Sequence, residues 1–463
     1  MVAPPQLRAR AMSLPYGFRS AAESALSLRF ALVGVLALTL LVPLTLVDGI
    51  AFERERYYQS VVTDIAQGYA HAQTVSGPLL VIPATDQVLE RTKTGSVPRL
   101  QSALHVVLPE ELNVAATLTH QFRSRGIYEV PVYLAEVRLS GSFGPIDRSS
   151  IEAAHHSVHW DQAFLSLGIA DPRGIRANSE LTIGSRSAVL KPGSGVDGLG
   201  NGVHVDHPQL PDPDARFQLT LKLAGTSRFA VTPLGDQTHL KVESTWPHPK
   251  FEGSYLPANR TIRASGFSAD WTTSALARGV PRSFSTARQE FRFLERVAAM
   301  QLFEPITQYT VVDRGIKYGA LFIALTYLTV LCFELFTGTR LHLVQYGVIG
   351  LALVLFYLVF LSLSEHLPLL PAYVGASAII AGLLGWYALG ITGSRRSGGA
   401  FMALQVGLYA ALYVLLQLID YALLTGSTLL VVGLAALMAV TRSLASRSDA
   451  RKPEGNAEPA PAA

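Results

Sequence analysis

Hydrophobic and polar positions divide the 463-residue chain into two kinds of sequence, and the change comes within Asp313–His366. Upstream, from Ser76 to about Trp271, short runs alternate apolar with polar side chains, as in Phe217-Gln-Leu-Thr-Leu-Lys-Leu223. A period of two puts one face of a strand in a core and the other in water. SGPLLVIP (76–83), ALHVVLP (103–109), NVAATLTHQF (113–122) and GIYEVPVYLAEVRLSGSF (126–143) are the first such runs, with Gly, Pro, Asn and Asp between them. Strand following strand, with few helical windows, predicts antiparallel sheets in one sandwich or two sandwich-like subdomains. Three stretches break the pattern. Val61, Ile65 and Tyr69 recur at helical spacing and predict a helix over 53–72. Residues 283–300 (SFSTARQEFRFLERVAAM) read as a charged amphipathic helix, and the Pro/Gly/Asp-rich stretch Lys191–Asp214 reads as a loop or sub-boundary.

Downstream the apolar runs are longer. Residues 318–336 and 343–363 each suffice to cross a hydrocarbon core about 30 Å thick as a helix. Thr337–His342 between them is a tight reversal, so the pair reads as a transmembrane hairpin. Three more segments follow at 371–387, 401–420 and 423–440. Near the start, FALVGVLALTLLVPLTLV (30–47) carries no charge and leads into Asp48 without a small-residue cleavage site, which predicts an uncleaved anchor. The expected fold is therefore an integral membrane bundle of six transmembrane helices with a large, β-rich, antiparallel, sandwich-like domain. Its parts are a basic arm (1–29), the first helix (30–50), the β-rich domain (51–315), five helices (316–441) and a disordered tail (442–463).

Charge turns this layout into a topology. Alternation from the N-terminus collects Arg8, Arg10, Arg19, Arg29, Arg340, Arg395, Arg396 and the cations of the tail on one side. The loops at Glu365-His366 and Thr425–Ser427, on the other side, hold no Lys or Arg. Cytoplasmic loops carry the cationic excess, so both termini are expected inside and the β-rich domain outside. A hydrophobic content of 49%, a charged content of 16% and a mean hydropathy of +0.30 fit a chain part soluble and part embedded. The net charge of +4 includes no Lys/Arg run longer than two, which argues against nucleic acid as a partner. Cys332, the single cysteine, lies inside a predicted membrane helix, which excludes an intramolecular disulfide or a cysteine-based zinc site.

Candidate chemistry is sparse. Gly193-Ser-Gly195-Val-Asp-Gly198 has the spacing of a dinucleotide loop, but no helical window opens after it. His155, His156 and His159 cluster beside Asp161 and raise the idea of a metal-dependent hydrolase, without a third ligand of known position. No nucleophile elbow, zinc-protease helix or phosphate loop occurs. Glu334 and Asp420 are acids in predicted membrane helices, with Gln405 and Gln417 nearby, and intramembrane acids often serve a pathway. Trp246-Pro-His248-Pro is rigid and aromatic, the form of a domain-edge connection or a binding surface. No cofactor is expected. The expected partners are membrane lipids, with a cell-envelope glycan or envelope protein for the outer domain.

SGPLLVIP (76–83), GIYEVPVY (126–133), DPRGI (171–175), GVHV (202–205), STWPHPKFEGSYLP (244–257), SGFSADW (265–271), DRGIKYGALFIALTYLTVLCFEL (313–335) and SLSEH (362–366) together resemble the CreD family of bacterial inner-membrane proteins. The resemblance spans about 30–442. It implies an inner-membrane location, a periplasmic β-rich domain, and a role in envelope integrity and stress, including tolerance to colicins or β-lactams. It carries over no catalytic residues. The reading that results is a non-enzymatic membrane protein whose outer domain binds; the alternatives are a transporter using the C-terminal bundle and the periplasmic metal-dependent hydrolase.

Overall fold

The computed structural model describes residues 28, 29, 31–435 and 438, apart from 93–94, 178, 184–185, 207–215, 288–294, 303–307, 338–340 and 419–423. Two compact units result, one spanning Tyr57–Pro305 and the other combining Met1–Arg56 with Ile306–Ala463.

Among the described residues the first unit is built from two sheets, of ten and eight strands. The larger sheet centres on β1 (Gln73–Thr92), which pairs antiparallel with β2 (Gly95–Val107) from Leu80↔Val107 to Thr92↔Gly95. On its other side β1 pairs antiparallel with Phe164–Ile169, and near its start, on the side that β2 occupies further along, it pairs parallel with Arg228–Thr232. In the smaller sheet, β3 (Glu111–Arg125) and β4 (Tyr128–Ser142) form a long hairpin flanked by Gln237–Ser244 and Arg216–Thr226. Both sheets feed one hydrophobic core, with Leu80, Ile82 and Val106 from one and Leu112, Val114, Tyr133 and Leu221 from the other. β3 shows the cause: Leu112, Val114, Ala116 and Leu118 point inward while Glu111, Asn113, Ala115 and Thr117 face out. Leu79–Ile82 is buried on every residue, as a strand covered on both faces must be.

Three expectations are corrected. The sheets are mostly antiparallel, but Gln237–Ser244 runs parallel to β3, as Arg228–Thr232 does to β1. Such pairs need long crossovers, which short-range alternation does not reveal. The helix expected over 283–300 is strand at both ends: Ser283–Ser285 pairs with β2, and Ala298–Leu302 pairs with Arg228–Thr232 and Pro249–Gly253. Tertiary pairing overrides the local period there. Lys191–Asp214 is not simply a loop, because Gly202–Asp206 joins the larger sheet beside Phe164–Ile169. The glycine-rich spacing within it forms a turn, with Asp197–Leu199 in a 3₁₀ turn and Gly195 against the Phe164 ring.

A polar junction fixes where helix gives way to sheet. The helix Leu41–Tyr69 ends just before β1. The Asp171 carboxylate accepts from the His71 N–H and from the N–H, Nε and Nη2 of Arg173. Gln73 donates to the Asp171 and Ala224 carbonyls and is fully buried. A methyl group on Gly174 would strike the Gln73 amide and the Ala224 carbonyl, so the DPRGI motif is a structural lock. The Arg173 guanidinium, followed by the main-chain donors, holds the Asp171 carboxyl at about 2, below its ordinary 3.8.

Among the described residues four helices are long and apolar enough to cross a membrane: Ala31–Tyr69, Leu343–Ser364, Leu369–Ile391 and Gly398–Gln417. A fifth is counted if Gln308–Lys317 and Gly319–Leu331, bent by 52°, form one span; Leu424–Ala435 is a shorter apolar helix. Val344, Val348, Leu351 and Leu355 make an exposed apolar stripe down Leu343–Ser364, while Ile349, Leu353, Phe356 and Phe360 are buried on its opposite side. A helix apolar on all faces is the form that sits in lipid. Gly350 lets Leu40 and the Tyr327 hydroxyl approach its backbone, since a Cβ there would meet both. Phe322, Phe356, Phe360, Tyr373 and Tyr409 pack ring against ring, and Tyr373 donates to the Tyr409 carbonyl at 2.7 Å.

Because the Asp171 carboxyl is depressed in the folded state, its stabilisation is full above about pH 4 and fades as pH falls through about 2. Asp171→Asn is expected to cost about 2 kcal/mol at pH 7. Denaturant unfolding in detergent, followed by tryptophan fluorescence, checks this; the gap to wild type is expected to narrow below pH 4.

Candidate functional site

The strongest constellation of polar side chains lies in the β unit, on the β1–β2 pair. The helix Arg148–Ala154 begins at Asp147, whose side chain accepts from the Ser150 N–H and from the Ser149 and Ser150 hydroxyls. Those bonds hold the Asp147 carboxyl at about 2. Trp160 fastens the helix from its far side, donating to Glu152 at 2.9 Å and lying under the Arg148 guanidinium. Beyond the helix the His156 and His159 N–H groups donate to the Thr85 and Pro83 carbonyls of β1.

This route delivers His155 into the interior with its side chain fully buried. Its Nδ1 lies 2.6 Å from Asp86 Oδ1 and its Nε2 lies 2.9 Å from His105 Nδ1. His105 Nε2 in turn lies 2.6 Å from Ser283 Oγ. Asp86 and His105 are buried, and Ser283 is exposed. Four residues from four separate segments thus form one continuous chain from a buried carboxylate to an outward serine. With an ionised carboxylate and two neutral rings, every bond has one donor: Ser283 Oγ–H to His105, His105 Nδ1–H to His155, and His155 Nδ1–H to Asp86.

The sequence singled out His155 but assigned it the wrong neighbours. His156 and His159 use their main chains on β1, and among the described residues no group of three His, Cys, Asp or Glu is disposed to hold a metal ion. Asp86, His105 and Ser283 were missed because they are 69, 50 and 128 residues from His155. Only the strand register brings them together.

The other candidates occupy separate places. Trp246 is 5% exposed and donates from Nε1 to the His248 carbonyl, while the His248 side chain is exposed. Trp246 packs edge-on to His120, with Phe122 beside both, so this segment closes one end of the core. In the helical unit Glu334 Oε1 accepts from the Leu341 N–H at 2.8 Å and from Arg29 at 3.4 Å, and Oε2 accepts from the Tyr346 hydroxyl at 2.8 Å. Arg54 approaches Glu365 at 3.8 Å. Gln405 is fully buried one helical turn from Tyr409. Asp420 and Arg340 lie outside the described residues.

A family profile described as inner membrane protein CreD matches residues 25–445. The chain belongs to the CreD family. The inner membrane protein CreD of Escherichia coli K12 is 33% identical over 412 residues, which cover 88% of this chain and 90% of that protein. CreD membership and the apolar helices make this a multi-pass inner-membrane protein. The matched range takes in Asp86, His105, His155, Ser283 and Glu334. Among solved structures, two of an M1 zinc metallopeptidase from Deinococcus radiodurans, one a point mutant with a bound tripeptide substrate, align at 13% and 12% identity. Each covers 36% of this chain and 39% or 38% of the other, with a TM-score of 0.20, which carries no argument.

Glu334→Ala is expected to strip the acceptor from both the Tyr346 hydroxyl and the Leu341 N–H, costing about 1–3 kcal/mol. Glu334→Gln keeps an acceptor oxygen and is expected to cost less. Thermal unfolding in detergent distinguishes the two.

Proposed function

We propose that this CreD-family protein crosses the inner membrane six times, with both termini in the cytoplasm and the β unit in the periplasm. There it contributes to envelope integrity and stress tolerance, including tolerance to colicins or β-lactams, through contact of the β unit with an envelope component. The observation that carries the reading is the family match over 25–445, which includes the β strands and the apolar helices alike.

The charges agree with this orientation. Arg29 and Glu334 meet at one end of the helical unit, and Arg54 and Glu365 meet along the chain beyond it. About 25 residues of helix separate Arg29 from Arg54, enough at ~1.5 Å each to span a core about 30 Å thick. Arg395 and Arg396 belong with Arg29 under the positive-inside rule, and the apolar helix Leu424–Ala435 supplies the core of a sixth crossing. Glu334 fits an interfacial role better than a transport role, because all of its described partners lie near helix ends.

Cysteine accessibility tests the topology. In a Cys332→Ala background, Val189→Cys and Leu276→Cys, both strongly exposed, are expected to react with a membrane-impermeant maleimide in spheroplasts. Arg396→Cys is expected to react only after lysis. The reverse pattern overturns the orientation, and a deletion strain with unchanged colicin and β-lactam tolerance overturns the envelope role.

A further inference from the structure

The chain Asp86–His155–His105–Ser283 has the connectivity that activates a serine hydroxyl. We propose that Ser283 is a nucleophile toward carboxylic esters, with His105 as its general base and His155 and Asp86 as positioning residues. This activity goes beyond the envelope role above and does not depend on it.

Three observations meet at Ser283. First, its hydroxyl lies 2.6 Å from His105 Nε2, within the reach a general base needs. Second, His105 is oriented from behind. Its Nδ1 lies 2.9 Å from His155 Nε2, and His155, with no exposed side-chain surface, is fixed by Asp86 at 2.6 Å. When His105 takes up a proton, its positive charge is stabilised through those two bonds without any further proton leaving its ring. Third, the strand Ser283–Ser285 pairs with β2 alone among the described residues. The Leu108 N–H donates to the Arg282 carbonyl and the Thr286 N–H to the Leu104 carbonyl, so residues 282, 284 and 286 point their main chain at β2. The N–H of Ser283 therefore lies on the free edge, available to a developing oxyanion.

A fourth feature lies next to these. Ser285 is directly opposite His105 in the strand register, on the same strand face as Ser283, and its hydroxyl is buried with no hydrogen-bond partner among the described residues. A buried hydroxyl without a partner is costly unless something else meets it, and a bound acyl oxygen or the hydrolytic water would do so. The strand itself is held in place by Arg282, which donates to the Phe143 carbonyl and approaches Glu110 at 3.5 Å.

In the acylation step, Ser283 Oγ bonds to the ester carbonyl carbon as its proton passes to His105 Nε2. The tetrahedral intermediate collapses, the C–O bond to the leaving alkoxide breaks, and His105 returns the proton to release an alcohol. Water then attacks the Ser283 ester by the same sequence, releasing a carboxylic acid and restoring the free serine.

The test uses the full chain in detergent with a fluorophosphonate probe, read by peptide mass spectrometry. Covalent modification is expected at Ser283 and is expected to disappear in Ser283→Ala. His105→Gln is expected to slow labelling at least ~100-fold. Asp86→Asn is expected to slow it by a smaller factor. The site assignment on wild-type protein needs no variant to fold. Absence of modification at Ser283, or labelling there at an unchanged rate in folded His105→Gln, overturns the proposal. Either result leaves the topology and envelope role standing on their own tests.

Discussion

The antiparallel pairing of β1 with β2 is the constraint on which the β unit depends. Thirteen consecutive register positions, from Leu80↔Val107 to Thr92↔Gly95, align the two strands. The same register puts Ile82 opposite His105 and Asp86 opposite Gln101, so that Asp86 and His105 flank the pocket into which His155 is delivered. A slip of one residue would turn every side chain to the other face and separate all three. β2 also supplies the edge on which Ser283–Ser285 pairs. Core packing and the buried polar chain therefore rest on one ladder. Its hydrogen bonds are satisfied between the two strands whatever the side chains are, which leaves the side chains free for chemistry.

The helical unit answers to a different solvent. Lipid offers no hydrogen bonds, so polar groups among its helices meet one another or sit at an interface. Glu334 follows that rule with three donors: a main-chain N–H, a tyrosine hydroxyl and a guanidinium. Tyr327 does the same by donating to the Tyr346 carbonyl, and Gly350 makes room for it. These are positioning contacts. They tie the helices Gly319–Thr337 and Leu343–Ser364 to each other through side-chain hydrogen bonds.

Much of this was legible along the chain, and the gaps have physical causes. The apolar runs, the strand-rich domain and the helix leading into β1 follow from local periodicity, which is a property of neighbouring residues. The Asp171 lock was visible only as a family motif. Its reason, a glycine pressed against a buried glutamine amide, needs the fold. Residues 283–300 misled because their charges recur at helical spacing, while Ala298–Leu302 is claimed by two partner strands distant in sequence. The histidine chain was half seen: His155 was marked for a metal because its near neighbours are histidines. Its real partners lie on other strands, and no spacing rule reaches them.

The central claim is a membrane protein whose β sheets are ordered by the β1–β2 register around a buried Asp86–His155–His105 chain. An experimental density map of the full chain in a lipid nanodisc tests it most directly. The predicted result is six helical crossings, Glu334 at the interface nearer the N-terminus, and continuous side-chain density from Asp86 through His155 and His105 to Ser283. A map with Glu334 at mid-bilayer, or with His155 turned out to solvent, would contradict it.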